Sequence, residues 1–203
     1  CAIGLGYHRT VPDLAGAMGQ PSRVLGVDPG TGVAGWAVVE ARGRNYQRVA
    51  SGVWRLGRAN TPLPERLRRL HESMLLVIRE HQPARLALES AFFGRNARSA
   101  LRIGEARGVV MMTAAAASMT VEEIPPASVK RRVAGLGSAS KEQVGRMVRV
   151  LIAEPDAVFA ADDESDAVAV ALCALLEQEN APPAGQASTG ARRGLPVGAR
   201  LQE

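Results

Sequence analysis

Cysteine is nearly absent from this chain of 203 residues: only Cys1 and Cys173 occur. The first is terminal and the second sits in an apolar helical pattern, so no disulfide framework is expected and a reducing cytoplasm is the natural setting. No apolar run is long and uncharged enough to span a bilayer; the richest, Val109 to Ala117, is too short. Residues 1–22 lack the charged start and apolar stretch of a signal peptide. Clusters of Cys and His with zinc spacing are missing too, the three histidines being scattered. The most telling scarcity is lysine. Of 25 basic residues only Lys130 and Lys141 are lysine. A compact ammonium is a different tool from a planar guanidinium, so two lysines that survive a general arginine bias, in one short segment, are candidates for a task that arginine cannot do.

What is present suffices for one globular domain with a real core: 46% of the residues are hydrophobic. The formal charge of +5 points toward a polyanionic partner, although solubility accounts for so mild an excess equally well. Residues 1–22 have no clear period and read as a weakly structured extension. Residues 181–203 are Pro, Gly, Ala, Ser and Arg without a period and are expected to be a disordered basic tail.

Between them, residues 23–180 read as ordered. Val24 to Asp28 is a buried strand closed by Pro29–Gly30. Val33 to Glu40 and Tyr46 to Leu56 form a hairpin around Arg42 to Asn45. Pro64 opens a helix to about His81, with Leu67, Leu70, Met74, Leu75 and Ile78 on one face. Leu86 to Glu89 is a short strand, Asn96 to Ser118 a long helix, and Val121 to Ile124 another strand. A short helix follows Pro125–Pro126. Ser140-Lys141-Glu142-Gln143 is a capping-box pattern that starts a helix to about Ala153. Asp162 reads as the N-cap of a last helix to about Gln178. The order βββαβαβααα describes a mixed five-stranded sheet flanked by helices.

Four acids stand out against this pattern. Asp28 ends an apolar strand, and Glu89 directly follows Leu86-Ala87-Leu88. A charge at the end of a core strand is expensive unless something pairs with it, and functional groups collect at such ends. Turn-stabilising acids are the plain alternative. Asp163 and Asp166 are three apart on the last helix and share a face that continues into Ala167-Val168-Ala169-Val170. First-turn acids favouring the helix dipole are the alternative there. Asp162 and Asp166 share a face equally well, so the choice between Asp162 and Asp163 stays open. If the acids converge, a cation is required, because two like charges 4 Å apart repel by roughly 4 kcal/mol at an effective dielectric near 20. Oxygen-only ligands suit Mg²⁺, with Mn²⁺ a substitute. Two such ions about 3.5–4 Å apart can activate a water and steady a leaving oxygen on phosphate.

The residues at these positions resemble the RuvC family of Holliday junction resolvases. Val24-Leu25-Gly26-Val27-Asp28-Pro29-Gly30-Thr31 resembles that family's opening strand, and Leu88-Glu89 with Phe92 and Phe93 its second acid and adjoining loop. Asn96-Ala97-x-Ser99-Ala100-Leu101, Gly104-x-Ala106-Arg107-Gly108, Val129-Lys130, Gly135-Leu136-Gly137-Ser138-Ala139-x-Lys141 and Asp163-x-x-Asp166-Ala167-x-Ala169 follow in order. Each piece is weak alone; the ordered set over residues 23–178 is specific. The resemblance implies an RNase H-like fold and a homodimer that nicks two opposed strands of a four-way DNA junction. It also implies Mg²⁺ at a site of Asp28, Glu89, Asp163 and Asp166. It assigns Lys130 and Lys141 to phosphate contact or transition-state charge, Phe92 to a stacking wedge, and RuvA and RuvB as partners. Arg95, Arg98 and Arg102 are candidates for a phosphate-binding stripe, with a solvated helix face as the alternative. Two rivals remain at this stage. One is a YqgF-type RNA-processing nuclease of the same fold. The other is an actin-like ATP-binding protein using Asp28 to Gly32 as a phosphate loop, although it should carry a second such loop that is not found. For the dimer surface, the Ala- and Met-rich half of the helix Asn96 to Ser118 is the candidate.

Overall fold

The computed structural model describes residues 22–58, 60–90 and 97–180. Strand β1 (Ser22–Asp28) runs antiparallel to β2 (Val33–Arg42), which pairs antiparallel with β3 (Asn45–Arg55). On its other side β1 pairs in parallel with β4 (Arg85–Glu89), and β4 in parallel with β5 (Thr120–Ile124). The order is β3-β2-β1-β4-β5, the mixed five-stranded sheet expected. β1 is central, so its C-terminal end has neighbours on both sides.

Two layers of helix cover this sheet. Leu25, Val27, Val38, Leu86 and Leu88 face α1 (Leu63–His81) and α2 (Ala97–Ala116). The alternate residues Val24, Ala37, Val39 and Ala87 face the other layer: α3 (Pro126–Ala134), α4 (Lys141–Leu151) and α5 (Asp162–Asn180). Strand side chains alternate with a period of two. Asp28 therefore lies on the face of Val24 and Gly26, and Glu89 on the face of Ala87: both acids belong to the α5 side.

The helices stop where local chemistry stops them. Proline sits in the first turn of α1, and Gln82, left-handed at φ 48°, ends it. The buried stripe of α1 is Leu70, Met74 and Val77; Val77 takes a place expected for Leu75, which is only partly covered. Ser140 and Gln143 close the expected capping box: Ser140 Oγ accepts from the Gln143 amide at 3.3 Å, and the Ser140 amide donates to Gln143 Oε1 at 2.8 Å. The start of α5 differs from expectation. Asp162 is not its N-cap but its first residue, and the turn before it is tied down by Glu164, whose carboxylate accepts from the Ala160 amide at 2.6 Å. Glu164 also accepts from Ser51 Oγ at 2.6 Å, stitching α5 to β3.

Glu40 is completely buried on β2 and is neutralised by Arg23 Nε at 2.7 Å and by Arg42. Burial pushes its pKa up, but the hydrogen bonds and charges of the two arginines prevail and hold it below the usual carboxylate range. A depressed carboxylate pKa contributes stability above the unfolded pKa and loses it as pH falls through the folded one. Glu40→Gln should therefore cost about 1–3 kcal/mol at pH 7, typical of hydrogen bonds to a charged group. Denaturant melts should show the deficit shrinking below pH 4.5, the carboxylate's reference value.

Candidate active site

Helix α5 lies across the middle of the sheet, and two glycines let it come close. A Cβ at Gly26 would stand 2.1 Å from the Ala167 carbonyl oxygen and 2.9 Å from Ala171 Cβ. A Cβ at Gly35 would stand 1.9 Å from the carbonyl oxygen of Asp163. Gly35 is also the partner of Asp28 across the β1–β2 ladder. The contact that seats the first turn of α5 thus sits beside the first acid. Val27 and Leu88 are the last pair of the β1–β4 register, and Asp28 and Glu89 each come one residue later.

The consequence appears in the electrostatics. Burial, together with the charges of Asp166, Asp163 and Glu89, raises the pKa of Asp28 to about 7, against a smaller lowering by Lys141. Glu89 is raised as well, by burial first and then by Asp166, while Lys130, Lys141 and Arg107 pull it down. Asp28 thus lies in the field of Asp166, Asp163 and Glu89, and Glu89 in that of Asp166. Asp163 is among the neighbours that raise Asp28 most. Asp162 points outward, 81% exposed, with its carboxylate 3.2 Å from Lys141 Nζ.

Asp28, Glu89, Asp166, Lys130 and Lys141 line one cleft of about 310 Å³, backed by Val129. The capping box sets Lys141 at the first turn of α4, and its Nζ lies 2.9 Å from Asp166 Oδ2. Burial works against the charge of Lys141, but its bonds to Asp166 and Asp162 outweigh this and raise its pKa, so it stays an ammonium. Both lysines of the chain therefore reach the acid cleft, one from α3 and one from α4.

The donor chemistry of this cleft suits a hard divalent cation: it is all carboxylate oxygen, and the repulsion felt at Asp28 is what a cation would relieve. The side chains are not closed into a ligand cage. Among the described residues no three His, Cys, Asp or Glu side chains stand close enough together to hold a metal ion. Asp166 instead faces the Lys141 ammonium, the local counter-charge.

Other expected residues fare differently. Phe92 and Arg95 lie outside the described residues, as does the side chain of Arg98. Arg102 is exposed and pairs with Glu105 at 3.2 Å, in keeping with a solvated helix face. Cys173 is buried within α5, and its thiol is pushed up to about 12, chiefly by burial, which leaves it inert. No helix among the described residues is long and apolar enough to cross a membrane. Sequence reasoning overlooked Gly26, Gly35 and Arg107. The two glycines did carry a signal, since glycine inside a strand marks a close backbone approach. Arg107 is buried at 7% exposure and donates to the Glu89 carbonyl oxygen and to the Glu123 carboxylate.

A mixed sheet with a central acid-tipped strand, crossed by a C-terminal helix bearing further acids, defines the class: an RNase H-like protein with a carboxylate site. The model of the family described as crossover junction endodeoxyribonuclease RuvC matches residues 24–174, and the chain belongs to this family. The crossover junction endodeoxyribonuclease RuvC of Myxococcus xanthus is 44% identical over 172 residues, 85% of this chain and 90% of that protein. The one from Desulfitobacterium hafniense is 41% identical over 150 residues, 74% and 90% of the two chains. Among solved structures, Thermus thermophilus RuvC in complex with a Holliday junction substrate superposes with a TM-score of 0.73 at 32% identity, covering 77% of this chain and 94% of that one. The yeast mitochondrial Holliday junction resolvase Ydc2, at 17% identity and a TM-score of 0.56, shares the fold.

Proposed function

We propose that this chain is a Holliday junction resolvase that cuts four-way DNA junctions at the cleft of Asp28, Glu89, Asp163 and Asp166. The observation that carries the site assignment is the cleft at the end of the central strand, which Asp28, Glu89 and Asp166 line together with both lysines of the chain, while Asp163 sits in the first turn of α5 against Gly35. The RNA-processing and ATP-binding alternatives have no comparable support, since the family match spans most of the chain and its relatives are named for junction cleavage.

In this reading the four acids hold divalent metal, Mg²⁺ by preference with Mn²⁺ as substitute, two ions per site. Metal bound there supplies Lewis-acid chemistry, activating water and neutralising charge on the phosphate. The chain's own residues do the rest. Lys130 and Lys141 present ammonium groups to the scissile phosphate and counter the charge that grows on its oxygens in the transition state. Lys141 must leave Asp166 to do so, exchanging one anionic partner for another. A water oxygen bonds to phosphorus, the P–O3′ bond breaks, and the 3′ oxygen takes a proton, leaving 5′-phosphate and 3′-hydroxyl ends. Phe92, three residues after Glu89 in the sequence, is assigned to stacking on opened bases; Arg95 and Arg98 are assigned to backbone phosphates.

Symmetric nicking needs two sites, hence a homodimer. Helix α2 offers its surface: Leu101 and Met112 are 64% and 53% exposed, and Gly104 and Gly108 lie on the same side, with open space where a Cβ would stand. Small residues there permit close approach of a second copy. Cooperation with RuvA and RuvB in a cytoplasmic setting completes the reading.

The test is a synthetic four-way junction beside a linear duplex of the same sequence, with Mg²⁺. The junction should be cut in two opposed strands and the duplex left intact. Lys130→Ala and Lys141→Ala should each slow single-turnover cleavage by on the order of 10²-fold while still binding the junction. Equal cutting of both substrates would overturn the proposal.

A further inference from the structure

Glu89 needs more than a place on β4. Its strand ends there: the amide of Ser90 donates to the Ile124 carbonyl at 2.8 Å, beyond the last register pair, Glu89 with Ile124. The Glu89 carbonyl oxygen accepts from Arg107 Nη1. Arg107 comes from α2, behind the sheet, because Ala106 and Val110 beside it belong to the α1–α2 core. The acid's side chain faces the opposite layer. One guanidinium nitrogen thus holds the peptide of Glu89 from behind while another is gripped by Glu123 Oε2 on β5. The Arg107 side chain is 8% exposed and that of Glu123 is 43% exposed, so the pair runs from the core to the surface. A planar fork with two separate acceptors fixes an orientation that a single donor cannot.

We propose that Arg107, oriented by Glu123, is a positioning residue for junction cleavage: it fixes the main chain at Glu89 and thereby the direction in which that carboxylate enters the cleft. The inference rests on the reading of Glu89 as a catalytic acid. Arg107 is buried behind the sheet and does not line the cleft, so its role is to position and not to contact the substrate. Its loss should therefore appear in turnover and not in substrate affinity, the pattern of an interaction needed only in the transition state.

The experiment compares Arg107→Met, Arg107→Lys and Glu123→Gln in the full chain. Steady-state kcat and KM on the four-way junction are read together with junction affinity in EDTA, at a temperature below every variant's melting point. Arg107→Met should lower kcat by about 10- to 100-fold, as loss of a group that orients a ligand does, with KM and junction affinity changed less than about twofold. Arg107→Lys restores one donor and should recover part of that loss. Glu123→Gln frees the fork and should lower kcat by about threefold to tenfold with KM unchanged. A merely structural role would leave kcat per folded molecule at the wild-type level in all three, and that result overturns the proposal, as does a fall in affinity that accounts for the lost rate. Should Arg107→Met fail to fold, Glu123→Gln on its half-exposed site decides. Glu89→Gln, run in parallel, separates the positioning role from the catalytic one. If it cuts normally, the reading of Glu89 as catalytic fails; if it is inactive while the Arg107 and Glu123 variants cut normally, only the positioning role fails.

Discussion

Asp28→Asn should be more stable than the natural chain at pH 8 without divalent metal, and should fail to cut junctions. Both effects come from the same charge. The Asp28 carboxyl is raised to about 7 from a reference value of 3.8. Between those values the folded chain keeps a proton that the unfolded chain releases, so folding stability falls as pH rises through that window and levels off above it. An amide has no charge to repel its neighbours and escapes this loss. After allowance for solvent screening, the gain at pH 8 in EDTA is on the order of 2–3 kcal/mol, or roughly 4–10 °C in a thermal melt. At pH 4 the two chains should melt alike. Divalent metal should narrow the gap at pH 8, because it stabilises only the chain that retains the full acid set. Cleavage by the variant should drop by on the order of 10³-fold or more with junction binding retained, since the oxygen that makes Asp28 costly is the one the chemistry uses. A variant that melts below the natural chain at pH 8 in EDTA would remove the basis for the converging acids.

Gly35→Ala should be the most damaging single methyl in the sheet. The added carbon meets backbone at 1.9 Å, the Asp163 carbonyl oxygen, and backbone cannot swing aside as a side chain can. Either α5 lifts from β2 or the strand bends. Overpacking of this kind costs about 1–3 kcal/mol, and here it acts on the turn that carries Asp163. A displacement of even 1 Å in a catalytic group can cost on the order of 10²-fold in rate. The expected result is a moderate loss in urea midpoint with a much larger loss in cleavage per folded molecule. Gly26→Ala, one turn further along α5, meets Ala167 and Ala171 and should show the reverse balance: a similar stability loss and a smaller effect on rate. Wild-type cleavage by folded Gly35→Ala would show that the first turn of α5 tolerates displacement.

Much of this is legible in the sequence itself. The short apolar runs of β1 and β4, the proline at the start of α1 and the Ser140–Gln143 box are local signals, and local signals place local structure. Asp28 and Glu89 can be singled out because a carboxylate at the end of an apolar strand is unusual in itself. Their convergence with Asp163 and Asp166 cannot, since it depends on α5 crossing β1 and β2 and no spacing within α5 encodes that crossing. The choice between Asp162 and Asp163 is undecidable from sequence for a related reason. Both lie in the first turn, and only the packing of that turn against Gly35 sets Asp163 among the charges that raise Asp28 and leaves Asp162 paired with Lys141. Arg107 reads in the sequence simply as part of a family motif, because its partners are a main-chain oxygen and a residue on another strand, neither of which leaves a mark in the local sequence.

The acids come from opposite ends of the folded region: Asp28 closes the first strand, and Asp163 and Asp166 open the last helix. On the ribosome the chain emerges with Asp28 first, and domains form as their parts become available. The sheet can begin to pair once β1 to β3 are out, yet the face beneath Gly26 and Gly35 stays uncovered until α5 arrives. A chain cut short between β4 and α5 holds Asp28 and Glu89 but neither partner acid, and its sheet lacks the helix that would bury it. On the proposed assignment of the acids, such truncated products should be both inactive on DNA and poorly folded. If the four acids cut together as proposed, the long loop closure that delays assembly also confines cutting ability to a completed domain.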